Sequence, residues 1–169
     1  QVGTDTYIDV ACNQAGTTAV SESGKLYACG QASHPRIGQP YQEGATYLSL
    51  TQIGTKTNWV SVSGTHDHIA AIDADGKLYT WGQQTNGSLG HGTSGGNVYA
   101  PTQVGSLTDW ASVSCGQSHT VALKTDGTVW VWGNNQYGAL GIGNTTHQSS
   151  PVLIGAAWAH SGTSTTWAH

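Results

Sequence analysis

In the stretch DWASVSCGQSHTVALKTDGTVWVWG (109–133), apolar and polar positions alternate in short runs, and the runs are broken by Gly, Asp and Ser. WASVS (110–114) and HTVAL (119–123) alternate closely enough for half-buried strands, whose successive side chains point to opposite faces. KTDGT (124–128) sets Asp-Gly between two strand-like runs, the dipeptide that supplies a positive φ for a tight hairpin turn. TVWVWG (128–133) is a further strand, ended by Gly. The pattern predicts antiparallel strands followed by a Gly-rich loop and a short extended link.

The same pattern occurs more than once. NWVSVSGTHDHIAAIDADGKLYTWG (58–82) lies over 109–133 without a gap, matching Trp59 to Trp110, His68 to His119, Gly76 to Gly127 and Trp81-Gly82 to Trp132-Gly133. TYIDVACNQAGTTAVSESGKLYACG (6–30) aligns as well, with Tyr7 in the Trp place and Cys29-Gly30 in the Trp-Gly place. The period is 52 residues, then 51, and the linker glycines Gly3, Gly54, Gly105 and Gly155 recur at 51, 51 and 50. The spacers NGSLGHG (86–92) and YGALGIG (137–143) match too, with a worn version in HPRIGQP (34–40). A sheet of this kind cannot bury both of its faces alone, so neighbouring copies must stack. The repeat units read as 6–57, 58–108 and 109–156, with a partial fourth at 157–169, and residues 1–169 form one segment.

Three sequence features, taken together, resemble a known repeat. They are W-x-x-V-x-G/C followed by His, L/I-x-x-D-G-x-V/L-Y/W-x-W-G, and N/Q-x-x-G-x-L-G-x-G with a late Pro. They run from Trp59 to Gly92 and from Trp110 to Gly143, with Pro101 and Pro151 following. This chain resembles the regulator-of-chromosome-condensation repeat β-propellers over nearly its whole length. The resemblance implies an all-β fold of four-stranded antiparallel blades, about three here plus the start of a fourth, within a seven-bladed ring. It also marks Trp59, His68, Gly76, Trp81, Gly82, Trp110, His119, Gly127, Trp132 and Gly133 as structural repeat positions. Both ends of the chain fall inside a unit, so the expectation is a fragment of a longer chain; a half-propeller completed by a second chain and an open stack capped by a partner are the alternatives. The first unit departs from the pattern, with Gly16 for His, Ser23 for Asp and Cys29 for Trp.

Composition narrows the function. Only 8% of residues are charged, against about 25% in ordinary globular proteins. With five Lys and Arg in total there is no basic stripe to neutralise phosphates or anionic lipid, so no nucleic-acid partner is expected. No run approaches the roughly 18 apolar residues of a membrane helix, and membrane insertion is not expected. Cys12, Cys29 and Cys115 form no CxxC pair and read as buried small hydrophobes.

Candidate chemistry is sparse. His66-x-His68 could present two imidazoles on one strand face, but His68 falls on the repeat position shared with His119 and no third ligand is indicated, so no metal is expected. DADG (73–76) resembles the opening of a calcium loop, yet Leu78 and Gln84 stand where its Gly and closing Glu belong; a hairpin turn is the better reading. No G-x-S-x-G, H-E-x-x-H or P-loop appears, so neither an enzyme nor a cofactor is expected. Asn86 and Asn144 open N-x-S/T acceptor patterns, although Asn also suits turns.

The Thr/Ser/Gly-rich, Lys-poor composition favours a non-enzymatic binding or structural module, extracellular or on a cell-surface appendage or virion. The alternatives are an intracellular adaptor or guanine-nucleotide-exchange-factor-like propeller, and a carbohydrate-binding propeller whose Tyr41, Tyr99 and Tyr137 stack on sugar rings. The expected partner is a protein or a further copy of the chain, with a glycan as the third possibility. Interaction residues are sought in non-repeating loops: Tyr41, Gln42 and Glu43 in the first spacer, Asn97, Val98 and Tyr99 in the second, His147 and Gln148 in the third.

Overall fold

The computed structural model describes residues 5–14, 16–31, 35–40 and 43–154. The first sheet contains β1 (Tyr7–Asn13), β2 (Gly16–Ser21), β3 (Leu26–Gln31) and β4 (Thr46–Gln52). The second contains β5 (Trp59–Gly64), β6 (His68–Asp73), β7 (Leu78–Gln83) and β8 (Asn97–Gln103). The third contains β9 (Trp110–Cys115), β10 (His119–Lys124), β11 (Val129–Gly133) and β12 (Gln148–Leu153). Apart from a 3-10 turn at Pro35–Ile37, no helix occurs among the described residues. Each sheet runs in chain order with antiparallel neighbours. The up-and-down order places the first-to-second and third-to-fourth connections at one end of every blade. The short hairpins and the inter-blade linkers lie at the other.

All three blades carry the same two irregularities. The register slips beside the first-strand aromatic (Tyr7/Asp9, Trp59/Ser61 and Leu123/Lys124 opposite Trp110), and again before the Gly that ends the third-strand motif (Ala28/Gly30, Thr80/Gly82, Val131/Gly133). At the second slip Gly82 has φ 121, and a Cβ there would lie 2.6 Å from the Asp67 carbonyl oxygen. The Gly of Trp-Gly is therefore demanded by a bulge against the start of the second strand. The β6–β7 turn closes with Gly76 N–H donating to the Asp73 carbonyl at 2.9 Å and φ 72 at Gly76, while Asp75 keeps negative φ. This is a four-residue turn ended by a left-handed glycine, longer than the tight Asp-Gly turn.

Packing follows from the stacking. β6 is buried at every position because it is covered on both faces. Ile69 and Ala71 join the cluster shared with the first sheet, which includes Val20, Leu26, Val62 and Trp81. Ala70 and Ile72 join Trp110, Ala122 and Trp132 toward the third. Each fully buried aliphatic side chain contributes roughly 1.5–3 kcal/mol, so these two junctions hold the blades together. Flanks with no neighbour among the described residues are exposed: Ile8 is 53% and Val10 62% exposed on one side, and Leu123 37% on the other. The cysteine expectation is corrected here. Cys12 is exposed on that first flank, Cys29 is half-buried, Cys115 is half-buried as a residue with its thiol turned into the second junction, and all three are free thiols. The expected partial fourth unit lies outside the described residues.

Candidate protein-interaction surface

Most side chains that might do chemistry are engaged between blades. His68 is fully buried, with Nε2 2.7 Å from Thr120 Oγ1 on the next blade. Thr120 spends its only hydroxyl proton on the Ser88 carbonyl at 2.9 Å, so His68 must donate from Nε2. Burial pushes this imidazole down to about 4, and it is neutral. A second relay has the same form: Thr80 Oγ1 donates to the Leu89 carbonyl at 2.7 Å and accepts from His91 Nε2 at 2.9 Å. Burial also lowers the His91 pKa. Both relays end on the 86–92 spacer and anchor it. His66 instead turns to Asp67 at 2.7 Å, so the two histidines do not share a ligand set. No group of three potential metal ligands occurs among the described residues. Cys115 is likewise no nucleophile, since burial pushes its thiol up to about 12.

At the long-spacer end, Arg36 and Asp67 together link all three blades. Its guanidinium reaches Asp67 Oδ1 at 3.5 Å and donates to Gln14 Oε1 at 3.2 Å and Gln83 Oε1 at 3.5 Å. Ser118 Oγ of the third blade donates to Asp67 Oδ2 at 3.1 Å. Arg36 and Asp67 are both buried. Ser118 therefore meets a carboxylate and not a histidine, which is no arrangement for a nucleophile and its base.

At the hairpin end, each blade presents an edge-to-face aromatic pair: Tyr7–Tyr27 at 5.9 Å, Trp59–Tyr79 at 4.8 Å and Trp110–Trp130 at 6.2 Å between ring centroids, with Trp110 also meeting the buried Trp132 at 6.2 Å. Lys56 Nζ sits 5.2 and 4.8 Å from the second pair and bonds Asp73 at 2.6 Å. Burial works against the Lys56 charge, but the bonds to Asp73 and Tyr79 outweigh it and its pKa is raised. Lys124 Nζ sits 5.1 and 4.6 Å from the third pair, 3.3 Å from Asp109. Beside these pairs, two repeat-related grooves open between blades. One of about 480 Å³ is lined by Pro40, Ile53, Lys56, Trp59, Tyr79 and Pro101. The other, of about 530 Å³, is lined by His91, Val104, Leu107, Trp110, Trp130 and Pro151. Sequence reasoning missed both grooves, though the match of Gly38-Gln39-Pro40 with Gly90-His91-Gly92 was a usable signal.

The expected interaction residues are scattered over the blades and form no single site. Tyr41 and Gln42 lie outside the described residues, and Glu43 is in an exposed turn. Asn97, Val98, Tyr99 and Gln148 are strand residues in β8 and β12, which corrects their reading as loop positions. The third strand's backbone recruits them: Gln83 pairs with Asn97, Gly82 with Val98, and Gly133 with Gln148. The Asn97 amide donates to the Tyr99 hydroxyl at 3.3 Å, and His147 Nδ1 accepts from the Asn135 backbone N–H at 2.9 Å. Tyr137 is 89% exposed. Among the marked repeat positions, Trp59, His68, Trp81, Trp110 and Trp132 are buried, His119 is half-buried on the open flank, and Gly76, Gly82, Gly127 and Gly133 all have positive φ.

Comparison with known proteins agrees with this geometry. The family model described as Regulator of chromosome condensation (RCC1) repeat matches residues 75–123 and 126–163, and a second model of that repeat matches 59–88 and 110–139. The E3 ubiquitin-protein ligase HERC2 of Homo sapiens is 32% identical over 158 residues, 90% of this chain and 3% of the ligase. The regulator of chromosome condensation of Homo sapiens is 33% identical over 146 residues, 85% of this chain and 35% of that protein. The chain thus spans about a third of the regulator and a small part of the ligase. Among solved structures, human WBSCR16 superimposes with TM-score 0.79 at 25% identity, covering 92% of this chain and 39% of that one. Prp20p from Saccharomyces cerevisiae, described with its binding to Gsp1p and histones, superimposes with TM-score 0.76 at 21% identity, covering 89% and 38%. With the repeat matched over more than half of its length and its three sheets superimposing on such proteins, the chain belongs to the regulator of chromosome condensation (RCC1) repeat family.

Proposed function

We propose that this chain is a non-catalytic, protein-binding part of a β-propeller that works inside the cell as an adaptor or guanine-nucleotide-exchange-factor-like module. The observation that carries this reading is the use of its candidate chemical groups. His68, Thr120, Thr80 and His91 are engaged in buried or half-buried hydrogen bonds between elements. What remains for a ligand is surface: two ends of connecting loops and the grooves between blades. A rigid frame with variable connections is how such folds present binding residues.

The relatives named above support the intracellular alternative better than the extracellular, cell-surface or virion setting that composition favours. HERC2 is named as a ubiquitin ligase and Prp20p is described with Gsp1p and histones as binding partners; a protein partner is the matching class here. Direct nucleic-acid binding is disfavoured by charge, because Arg36, Lys56 and Lys124 are already paired with carboxylates. Closure into a seven-bladed ring, by further chain or further copies, completes the proposal.

The test is a photo-reactive side chain placed at Tyr137 or at Glu43. Recurrent adducts to one protein, absent when the probe sits at buried Leu26, are expected. Adducts spread equally across abundant proteins at every probe position would overturn the reading. A nucleotide-release assay on a co-purifying small GTPase then separates exchange factor from adaptor.

A further inference from the structure

The aromatic pairs at the hairpin end form an internal comparison series. In the second blade an ammonium lies over the pair, supplied by Lys56, the second residue after the linker glycine, with Asp73 as its carboxylate. In the third blade Leu107 occupies the Lys56 place, and the ammonium comes instead from Lys124, at the position equivalent to Asp73, with Asp109 as its partner. The two blades reach one arrangement by different residues, so a cation over the ring pair is what the site favours. Aromatic faces attract a cation through their quadrupole, and a nearby carboxylate adds charge pairing.

The first blade retains the rings, and no cation lies over them among the described residues. Tyr7 and Tyr27 meet edge to face at 81°. Counted from the linker glycine, Asp5 stands in the Lys56 place, and by the blade alignment Ser21 stands in the Asp73 place, so neither of these two residues can supply an ammonium. Carboxylates collect there instead: Tyr27 donates its hydroxyl to Asp5 Oδ2 at 2.8 Å, and Thr6 donates to Glu22 Oε2 at 2.5 Å. Asp5, Thr6, Ser21, Glu22 and Ser23 line a small cavity of about 200 Å³, which Tyr27 meets through its bond to Asp5. Lys25, two residues before Tyr27, makes no ion pair among the described residues, since Ser23 replaces the carboxylate that Lys77 finds in Asp75.

From this series we infer that Tyr7, Tyr27 and Asp5 form a docking site for the ammonium of a lysine side chain on a partner protein, the place that Lys56 and Lys124 fill from within the chain in the other two blades. The inference deepens the protein-binding reading and rests on it. Glu22 adds a second negative charge at the rim, and the tyrosine rings exclude water from one side of the bound cation.

The experiment is an NMR titration of the protein with acetyl-Gly-Lys-Gly-amide, following the Tyr7 and Tyr27 ring resonances. Acetyl-Gly-norleucine-Gly-amide, similar in shape but uncharged, is the control. Saturable shifts confined to these two rings are expected with the lysine peptide and none with the control. Asp5→Asn, at an exposed position, should weaken binding roughly two- to fivefold. Equal shifts with the norleucine peptide, or unchanged binding to Asp5→Asn, would overturn the site. So would ring shifts in peptide-free Lys25→Ala, which would mean that Lys25 already occupies the place. If the titration fails while the photo-adducts of the intact protein persist, the lysine site falls and the protein-binding reading stands.

Discussion

At the scale of single residues, the two blade junctions use different chemistry in equivalent places. Between the second and third blades, His68 donates to Thr120; between the first and second, the corresponding positions hold Gly16 and Ile69. Without Thr120 the His68 Nε2–H would be buried unsatisfied, which costs about 1–3 kcal/mol, whereas Thr120 without His68 keeps its bond to the Ser88 carbonyl. Thr120→Val is therefore expected to lower stability by that amount in urea unfolding, and a double-mutant cycle with His68→Leu should show positive coupling; additive losses would deny the bond. The same histidine makes stability depend on pH. Its folded-state pKa, near 4, lies below the ordinary 6.5, so the unfolded chain takes up the proton first as pH falls. This contribution is whole above about pH 6.5 and fades toward pH 4, by up to about 3 kcal/mol. His68→Gln should flatten the change in urea midpoint between neutral and acidic pH. An unchanged slope would place the titration elsewhere. The buried histidine was legible as a repeat position, but its tautomer was not, because that depends on a hydroxyl 52 residues away and the carbonyl beyond it.

At the scale of elements, the hairpin glycines separate local conformation from packing. Gly76 and Gly127 occupy equivalent turns with φ 72 and 84. A Cβ on Gly76 would meet the Thr108 carbonyl oxygen at 2.3 Å, whereas one on Gly127 meets nothing within 4 Å among the described residues. Both Ala substitutions carry the left-handed strain of about 1–2 kcal/mol, and Gly76→Ala carries the clash as well. Thermal unfolding should rank Gly76→Ala clearly below Gly127→Ala; equal losses would show that a further linker packs on Gly127 as Thr108 does on Gly76. Inner strands and their turns could be read from alternation and Asp-Gly spacing. Outer strands could not. NVYAPTQ (97–103) contains Pro101 and irregular burial, and it is a strand because the β7 backbone offers it partners at the sheet edge.

At the scale of the molecule, the three described blades stack with two flanks that no described residue covers. Ile8 and Val10 stand exposed on one, Leu123 on the other, as expected of blades whose neighbours come from further chain or further copies. Expressed as these 169 residues, the protein should sediment above 17.5 kDa, and Val10→Glu should return it toward that mass. A wild-type monomer stable at high concentration would count against flank-to-flank assembly. The sequence alone was enough to establish the repeat, the first three strands and the hairpin turn of each unit, the family and the lack of catalytic motifs, because periodic glycines and aromatics report local backbone geometry and shared packing. Tertiary structure decided which residues fill each shared place. Lys56 and Lys124 lie at different repeat positions yet come to rest over equivalent ring pairs, and the first blade has the rings without either cation. Such substitutions leave no periodic trace, since a site between folded elements is defined by where side-chain ends meet and not by the spacing of their backbones.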